Sequence, residues 1–307
     1  MIVSLGESLI DRFHSSSGAP TDTRIGGSPY NVANALANLG VPSGYLCPIS
    51  TDPFGDALAE GLQRYGTRQC VAERVAAPTA IADIRTNSKG HPQYTFHREG
   101  TADRALVEQP PTRSLPTNTH AVHFGSLTLA QQEDWPHWRA AIVAAKNNGA
   151  FVALDPNLRP ALIDDLTAYA KRLEEAVALA DWVKASDEDL KLLHPEMEPI
   201  ETIQYWRGKG RTVVLTRGES GAQLWTPDGG CIAHPAGTAR SIADTVGAGD
   251  TYQAATLAWL WHHNALHTRL TESSANALMR FAATAAAINC ERPGCQPPTH
   301  DEVMQRL

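Results

Sequence analysis

The sequence predicts an α/β fold: a doubly wound, mainly parallel sheet flanked by helices, with a small antiparallel β lid inserted into it. Short apolar or β-branched runs alternate with longer helical patterns along the 307 residues, as expected of βαβ units. Several runs carry apolar residues on both faces, which is typical of strands buried in a parallel sheet. Two polar stretches with strand-like alternation interrupt this order and predict the lid.

The main sheet is assigned from six runs, and helical patterns separate them. The predicted strands are Ile2–Leu5, 44–47, 121–124, 151–154, 182–184 and Thr212–Thr216. One helix should begin after the capping residue Asp52 and end at Gly66, and another should begin at Ser28 and end at Gly40. Three more are predicted over 132–147, 166–180 and 250–262. The alternation therefore accounts for most of the chain.

The lid is assigned to residues 12–25 and 79–105, and the main domain to 1–11, 26–78 and 106–307. Apolar and polar positions alternate over 80–85 and again over 94–98, with a turn predicted at 88–90 between them. Such an insertion can close over a site, although an ordinary surface hairpin would show the same pattern. If the lid exposes an apolar face, it could pair with its copy in a two-fold homodimer.

Composition excludes several classes of protein. The net charge is −7 and no basic run of five or more occurs, so a general nucleic-acid binder is not expected. No apolar run approaches the roughly 18 residues of a membrane span, and the start of the chain lacks the features of a signal peptide. Five scattered cysteines are typical of a reduced, cytoplasmic protein. An anionic ligand would need a local binding device.

Such a device is predicted in the segment Ala-Asp-Thr-Val-Gly-Ala-Gly-Asp-Thr-Tyr at 243–252. Gly247, Ala248 and Gly249 precede an amphipathic helix, so their backbone N–H groups and the helix N-terminus can form an anion nest. Asp250 would lie in the first turn of that helix. It would either cap the helix or accept a hydroxyl proton while the nest holds a phosphoryl group. The third glycine of a dinucleotide fingerprint is missing, and no Gly-x-x-x-x-Gly-Lys-Ser/Thr loop occurs.

Two motifs at opposite ends of the chain carry a family resemblance. Asp-Thr-Val-Gly-Ala-Gly-Asp at 244–250 resembles the C-terminal motif of the ribokinase (PfkB) family of carbohydrate kinases. Gly-Gly-Ser-Pro-Tyr-Asn-Val-Ala at 26–33, followed by Leu-Gly at 39–40, resembles its N-terminal motif. Weaker matches lie at 155–159, 184–189 and 216–218. The resemblance implies a ribokinase-like fold and ATP-dependent phosphorylation of a sugar hydroxyl.

Within that family, the segments 7–11 and 100–104 look most like bacterial fructokinases, which implies conversion of D-fructose to fructose 6-phosphate. Asp11 is placed at the end of the first strand, where open sheets bind ligands. Its carboxylate would accept hydrogen bonds from two sugar hydroxyls. Gly26 and Gly27 would let the backbone approach the sugar. Asn31 offers a donor and an acceptor, or is simply a polar residue at a helix start. Arg98 would either reach the sugar from the lid or stay solvated.

The resemblance also implies roles on the nucleotide side. Asp250 is the implied base, and the residues expected near ATP are Ser186, Thr216, Gly218, Gly221, Gly247, Gly249 and Asn289. Mg²⁺ is required to neutralise the polyphosphate, and Asp189 would orient it through water. Here the pattern departs from the family, because Ser186 replaces the usual asparagine and Asp189 the usual glutamate. Asp244 and the loop at 292–295 resemble a monovalent-cation site, and K⁺ activation is left open.

Two alternatives stay open at this point. The substrate could be 2-keto-3-deoxygluconate, ribose or a nucleoside, and Arg98 and Arg104 near the lid would suit a carboxylated sugar. The chain could also be a sugar-binding regulator that has lost catalysis. The presence of Asp250 and both glycines of the nest argues against that second reading.

Overall fold

The computed structural model describes residues 1–15, 18–86 and 92–307; the turn predicted at 88–90 lies outside these ranges. Within them, the main sheet has nine strands. In spatial order they are β13 (Cys231–His234), β12 (Ala222–Trp225), β11 (Thr212–Thr216), β10 (Trp182–Ser186), β9 (Phe151–Asp155), β8 (Ala121–Gly125), β1 (Ile2–Leu5), β4 (Ser43–Leu46) and β5 (Arg68–Gln69). All six predicted strands are present. Neighbouring strands from β5 to β11 pair in parallel, and β12 and β13 add an antiparallel edge.

Helices cover both faces of this sheet. They are α1 (Ser28–Asn38), α2 (Pro53–Tyr65), α3 (Pro111–Ser114), α4 (Trp135–Asn147), α5 (Leu166–Leu179), α6 (Asp187–Leu193), α7 (Pro199–Gly208), α8 (Ala248–His262), α9 (Glu272–Cys290) and α10 (His300–Met304). One core layer contains side chains of α2, α4, α5 and α7, and the other contains side chains of α1, α8 and α9. The doubly wound α/β architecture is therefore confirmed. Among the described residues, none of the helices combines the length and apolarity needed to cross a bilayer.

The caps explain why two of the predicted helices begin and end where they do. The carboxylate of Asp52 accepts the Gly55 N–H at 2.7 Å, and Gly66 ends α2 in the left-handed conformation. Helix α8 begins after Gly247, which has φ +76°. Positive φ favours glycine, so the chain can turn into the helix at this point.

The lid is a second sheet of four strands in the order β3 (Pro20–Gly26), β2 (Leu9–His14), β6 (Ala80–Thr86) and β7 (Pro92–His97). Two antiparallel hairpins, β2–β3 and β6–β7, are joined by parallel pairing of β2 with β6. The lid begins at Leu9, earlier than predicted, because strand β1 ends at Leu5 and the chain changes direction at Gly6, which has φ +129°. Asp11 therefore lies within the lid and not at the end of the first strand.

A charged cluster links three of the four strands of the lid. The buried carboxylate of Asp83 accepts hydrogen bonds from Arg12 Nε at 2.6 Å and contacts His14 Nε2 at 2.8 Å and His97 Nε2 at 2.9 Å. The hydrogen bond from Arg12, followed by those from the two imidazoles, holds the pKa of Asp83 well below its usual range. The cluster joins β2, β6 and β7, so the lid can move as one unit.

Candidate active site

A cavity of about 480 Å³ lies between the lid and the carboxyl ends of the parallel strands, where open α/β sheets bind their ligands. It brings together six predicted residues from distant parts of the chain: Asp11, Gly26, Gly27, Asn31, Gly247 and Asp250. The lid covers it with an apolar set of side chains: Leu9, Phe13, Ile25, Ile84, Tyr94 and Phe96. A sugar-sized ligand would fit here, with polar groups below and apolar groups above.

Asp250 is held by donors from three directions. Its side chain is buried, with 8% of the residue exposed. One oxygen accepts a hydrogen bond from the Ser28 hydroxyl at 2.6 Å and the other from the Asn31 amide at 2.8 Å. The amide of Asn157 approaches the first oxygen at 3.4 Å. These contacts fix the carboxylate in one orientation, which is what a general base needs.

The anion nest forms at the N-terminus of α8. Gly247 has φ +76°, and a Cβ there would overlap the side chain of Cys295, so only glycine fits. Ala248 N–H bonds to the Thr245 carbonyl at 3.2 Å. The N–H groups of Gly249 and Asp250 follow in the first turn, where a helix provides no partner of its own. These groups and the helix dipole can bind an anion beside the base.

Asp11 faces the cavity from the lid. A Cβ on Gly26 would come within 2.5 Å of an Asp11 carboxylate oxygen, so Gly26 makes room for this side chain. Burial raises the pKa of Asp11 to about 6, and the nearby charges of Arg159 and Arg24 oppose the rise. Both arginines line the cavity. Asp11 is thus an ionisable acceptor poised to bind hydroxyl groups.

Glu7 is a residue of the site for which the sequence predicts no role of its own. It is 2% exposed, and its two carboxylate oxygens accept the N–H groups of Ser28 at 3.3 Å and Leu127 at 3.2 Å. Burial raises its pKa to about 7. The carboxylate thereby fixes the start of α1, which carries Ser28 and Asn31 to Asp250. The requirement for glycine at Gly27 also arises here, since a Cβ would come within 2.6 Å of the Glu7 carbonyl.

A buried ion pair lies beneath the nest. Lys184 Nζ is 2.6 Å from an Asp155 carboxylate oxygen, and the two side chains are only 5% and 1% exposed. The ammonium also lies 3.8 Å from the Cβ position of Gly249. Burial raises the pKa of Asp155 to about 6, Lys184 opposes this, and the charges of Asp189 and Asp250 add to it. Positive charge is therefore placed close to the anion nest.

Two predicted site residues have structural partners instead. Arg98 is 6% exposed and pairs with Asp103 at 2.6 Å and with Asp134 at 3.5 Å. It follows β7, where the chain returns to the main domain, and does not line the cavity. Asn289 is fully buried; its amide donates to the Val246 carbonyl at 2.9 Å and its oxygen accepts the Gln296 N–H at 3.0 Å. Both ends are satisfied, so Asn289 supports from behind the loop that leads into α8, residues 244–247, called here the nest loop.

The residues predicted for the nucleotide lie along the neighbouring strand ends. Ser186 ends β10 and its hydroxyl caps α6 by accepting the Asp189 N–H at 3.0 Å. Asp189 in turn accepts the Leu158 N–H at 3.0 Å. Thr216 ends β11, and Gly218 and Gly221 follow it with positive φ values. This edge leads directly from the nest, so a nucleotide whose last phosphate binds there would extend along it.

The chain is similar to known sugar kinases over nearly its whole length. The model of the pfkB family of carbohydrate kinases matches residues 1–302. A fructokinase of Rhizobium leguminosarum bv. trifolii is 32% identical over 286 residues, covering 89% of this chain and 83% of the relative. The fructokinase of Xylella fastidiosa with bound ATP superposes with a TM-score of 0.87 at 26% identity, covering 99% and 97% of the two chains. A fructokinase double mutant of Vibrio cholerae O395, solved with fructose, ADP and potassium, shares the fold with a TM-score of 0.85 at 24% identity, covering 99% and 97%.

Proposed function

This chain belongs to the pfkB family of carbohydrate kinases, and we propose that it transfers the γ-phosphoryl group of ATP to D-fructose, giving fructose 6-phosphate and ADP. The observation that carries the proposal is the placement of Asp11, Asp250 and the Gly247 nest around one covered cavity. The fructokinases of Rhizobium and Xylella support fructose as the sugar.

The lid and the floor of the cavity have separate tasks in this mechanism. Asp11 accepts hydrogen bonds from two sugar hydroxyls, and a carboxylate accepts such bonds more strongly than a neutral group does. The apolar lid side chains cover the ring and exclude water, which would otherwise compete for the phosphoryl group. The hydroxyl to be phosphorylated is left pointing toward Asp250.

Asp250 then acts as the base. The sugar hydroxyl oxygen forms a bond to the γ-phosphorus, its proton passes to an Asp250 carboxylate oxygen, and the bond from the γ-phosphorus to the bridging oxygen of ADP breaks. Ser28 and Asn31 keep the carboxylate aligned during this step. The N–H groups at the start of α8 stabilise the charge on the transferred group. The ammonium of Lys184, which lies beneath the anion nest, adds positive charge close to it.

The acidic residues near the nest fit an indirectly bound Mg²⁺. In the described part of the chain, no group of three or more His, Cys, Asp or Glu side chains is arranged to hold a metal directly. Within the described residues, one buried carboxylate oxygen of Asp155 has no hydrogen-bond partner. The charge of Asp189 lies close enough to raise the pKa of Asp155. Mg²⁺ keeps most of its waters and binds mainly to phosphates, so Asp155 and Asp189 would hold it through water. Bound in this way, the ion neutralises charge on the polyphosphate.

A panel of substrates tests the proposal. ADP release is measured with D-fructose, D-ribose, 2-keto-3-deoxygluconate and a nucleoside, and the product is identified by NMR. We expect kcat/KM for D-fructose to exceed the others by about 100-fold, since unpaired polar groups penalise the wrong sugar. A higher kcat/KM for 2-keto-3-deoxygluconate would replace fructose by a carboxylated sugar. Saturable sugar binding without any ADP release would instead favour a regulator.

The reaction should also lose efficiency in acid because of Asp11. This group binds hydroxyls as a carboxylate, and burial raises its pKa to about 6. It is therefore ionised at pH 7 to 8, and below pH 6 we expect kcat/KM for the sugar to fall about tenfold per pH unit. In Asp11→Asn, kcat/KM should be low at every pH, and its decrease below pH 6 should disappear. If the decrease below pH 6 persisted unchanged in the variant, it would belong to another carboxylate of the site.

We further propose that the protein works as a homodimer in the cytoplasm. Two apolar lid side chains that line the cavity also remain exposed, Tyr94 at 49% and Ile25 at 36%, and a second copy could cover them. All five cysteines are free thiols, which agrees with a reducing compartment. Sedimentation tests the dimer: a mass of two chains that falls to one in Tyr94→Glu is expected, and a mass of one chain for the unaltered protein would exclude it.

A further inference from the structure

At the predicted monovalent-cation site around Asp244, the oxygen atoms that would bind a cation already accept hydrogen bonds from N–H groups. One carboxylate oxygen of Asp244 accepts the Val246 N–H at 3.0 Å, and the other accepts the Gly294 N–H at 2.9 Å. Nearby carbonyls are also engaged: that of Cys290 accepts two backbone N–H groups, and that of Pro293 accepts the Gln296 amide. A bound cation needs oxygen lone pairs directed at it, and here these oxygens face N–H groups.

A side chain of the protein brings positive charge to the same carboxylate. Arg24, on lid strand β3, donates from Nη1 to the Asp244 oxygen that also accepts the Gly294 N–H, at 3.1 Å. Its Nε bonds to Asp22 at 2.9 Å, and its guanidinium carbon lies 4.9 Å from the centre of the Phe13 ring. These two lid contacts orient the guanidinium toward the nest loop, which begins at Asp244.

Arg24 is also linked to the sugar side of the cavity. It is the direct cross-strand partner of Asp11 in the β2–β3 pair, and directly opposed residues point to the same face of a sheet. Its charge lowers the pKa of Asp11, and it lines the cavity itself. One side chain therefore joins the carboxylate expected to bind sugar to the loop expected to bind phosphate.

We infer that Arg24 is a positioning residue that couples closure of the lid to the phosphate nest, and that its guanidinium takes the place of a monovalent cation at Asp244. The inference rests on the proposed kinase function and adds a prediction that the function does not require, namely activity independent of K⁺. Arg24 is 42% exposed and Asp244 is 22% exposed on their side chains. Exposed pairs of this kind are weak and screened by salt, which suits a contact that must open at every turnover.

The test compares Arg24→Met with the unaltered protein in K⁺, Na⁺ or choline chloride at equal ionic strength. For the unaltered protein we expect kcat and the melting temperature to be the same in all three salts. In Arg24→Met we expect kcat to fall about tenfold, as for a displaced reaction centre, and added ethylguanidinium to restore a large part of it. Arg12→Met is the matched control, because it removes another lid arginine from an ion pair that does not reach the nest loop.

Kinase activity of the unaltered protein is established first, so that a failure of the proposed function is seen separately. A K⁺-specific rise in its kcat or melting temperature would overturn the inference, because Asp244 would then bind a cation despite Arg24. Unchanged kinetics in Arg24→Met would overturn it as well. So would an equal loss, or an equal response to ethylguanidinium, in Arg12→Met, since the effect would then come from general loosening of the lid.

Discussion

Asp250→Asn should reduce kcat by about 10³-fold, within the range that general-base catalysis contributes. The substitution removes the proton acceptor and nearly preserves the shape of the side chain. The sugar is bound mainly through Asp11 and the lid, so its dissociation constant should change much less than kcat. Steady-state ADP release, together with sugar binding measured by calorimetry, separates the two effects.

Asp187→Asn provides the control for this experiment. It removes one carboxylate from the first turn of α6, where Asp187 pairs with Lys191 at 3.2 Å outside the cavity. We expect its kcat to remain near that of the unaltered protein. If Asp250→Asn retained more than about a tenth of the activity, the proton would have to leave by another route, and Asp250 would be only a helix residue that aligns Ser28 and Asn31.

The two glycine motifs could be found from sequence because local backbone geometry requires them. Gly247 has a positive φ, and Gly27 has both a positive φ and a backbone neighbour where a Cβ would lie. Requirements of this kind leave a readable trace in a short segment of sequence. Six of the nine main-sheet strands were readable for a similar reason, since burial on both faces favours short, largely apolar runs.

The partners of buried polar side chains could not be read in the same way. The sequence predicts Arg98 either at the sugar or in solvent and Asn289 near the nucleotide, yet the fold gives them protein partners at Asp103 and at Val246. Glu7 is the opposite case, because its two backbone partners, Ser28 and Leu127, come from separate elements. Such partners are set by tertiary structure, and nothing in the local sequence specifies them.

Three elements that the sequence does not predict, α9, β12 and β13, have weak local patterns. Helix α9 (Glu272–Cys290) contains seven alanines, so its buried and exposed faces differ little in composition and the helical period is faint. Strands β12 and β13 have four residues each, and β13 is partly exposed. Their pairing at the edge of the sheet depends on β11, which a reading of single segments does not include.

The ion pair between Lys184 and Asp155 joins stability to the site. Both groups have lost their water, so each depends on the other for compensation. Removing the ammonium alone would leave a carboxylate buried beside the charges of Asp189 and Asp250, which already raise its pKa. Asp155 would then have to take up a proton for the protein to fold.

Lys184→Met should therefore destabilise the protein by about 3–5 kcal/mol at pH 7 to 8, as is typical when one partner of a buried pair is removed. The loss should shrink as the pH falls toward 5, because Asp155 can then be protonated in the folded state at less cost. Chemical denaturation at several pH values measures this. Lys191→Met, at a side chain that is 61% exposed, is the control and should change stability by less than about 0.5 kcal/mol.

In the double variant Lys184→Met/Asp155→Leu, most of the stability should return, because no buried charge remains unpaired. A loss of full size in the double variant would mean that the packing of Lys184, and not its charge, supports this part of the fold.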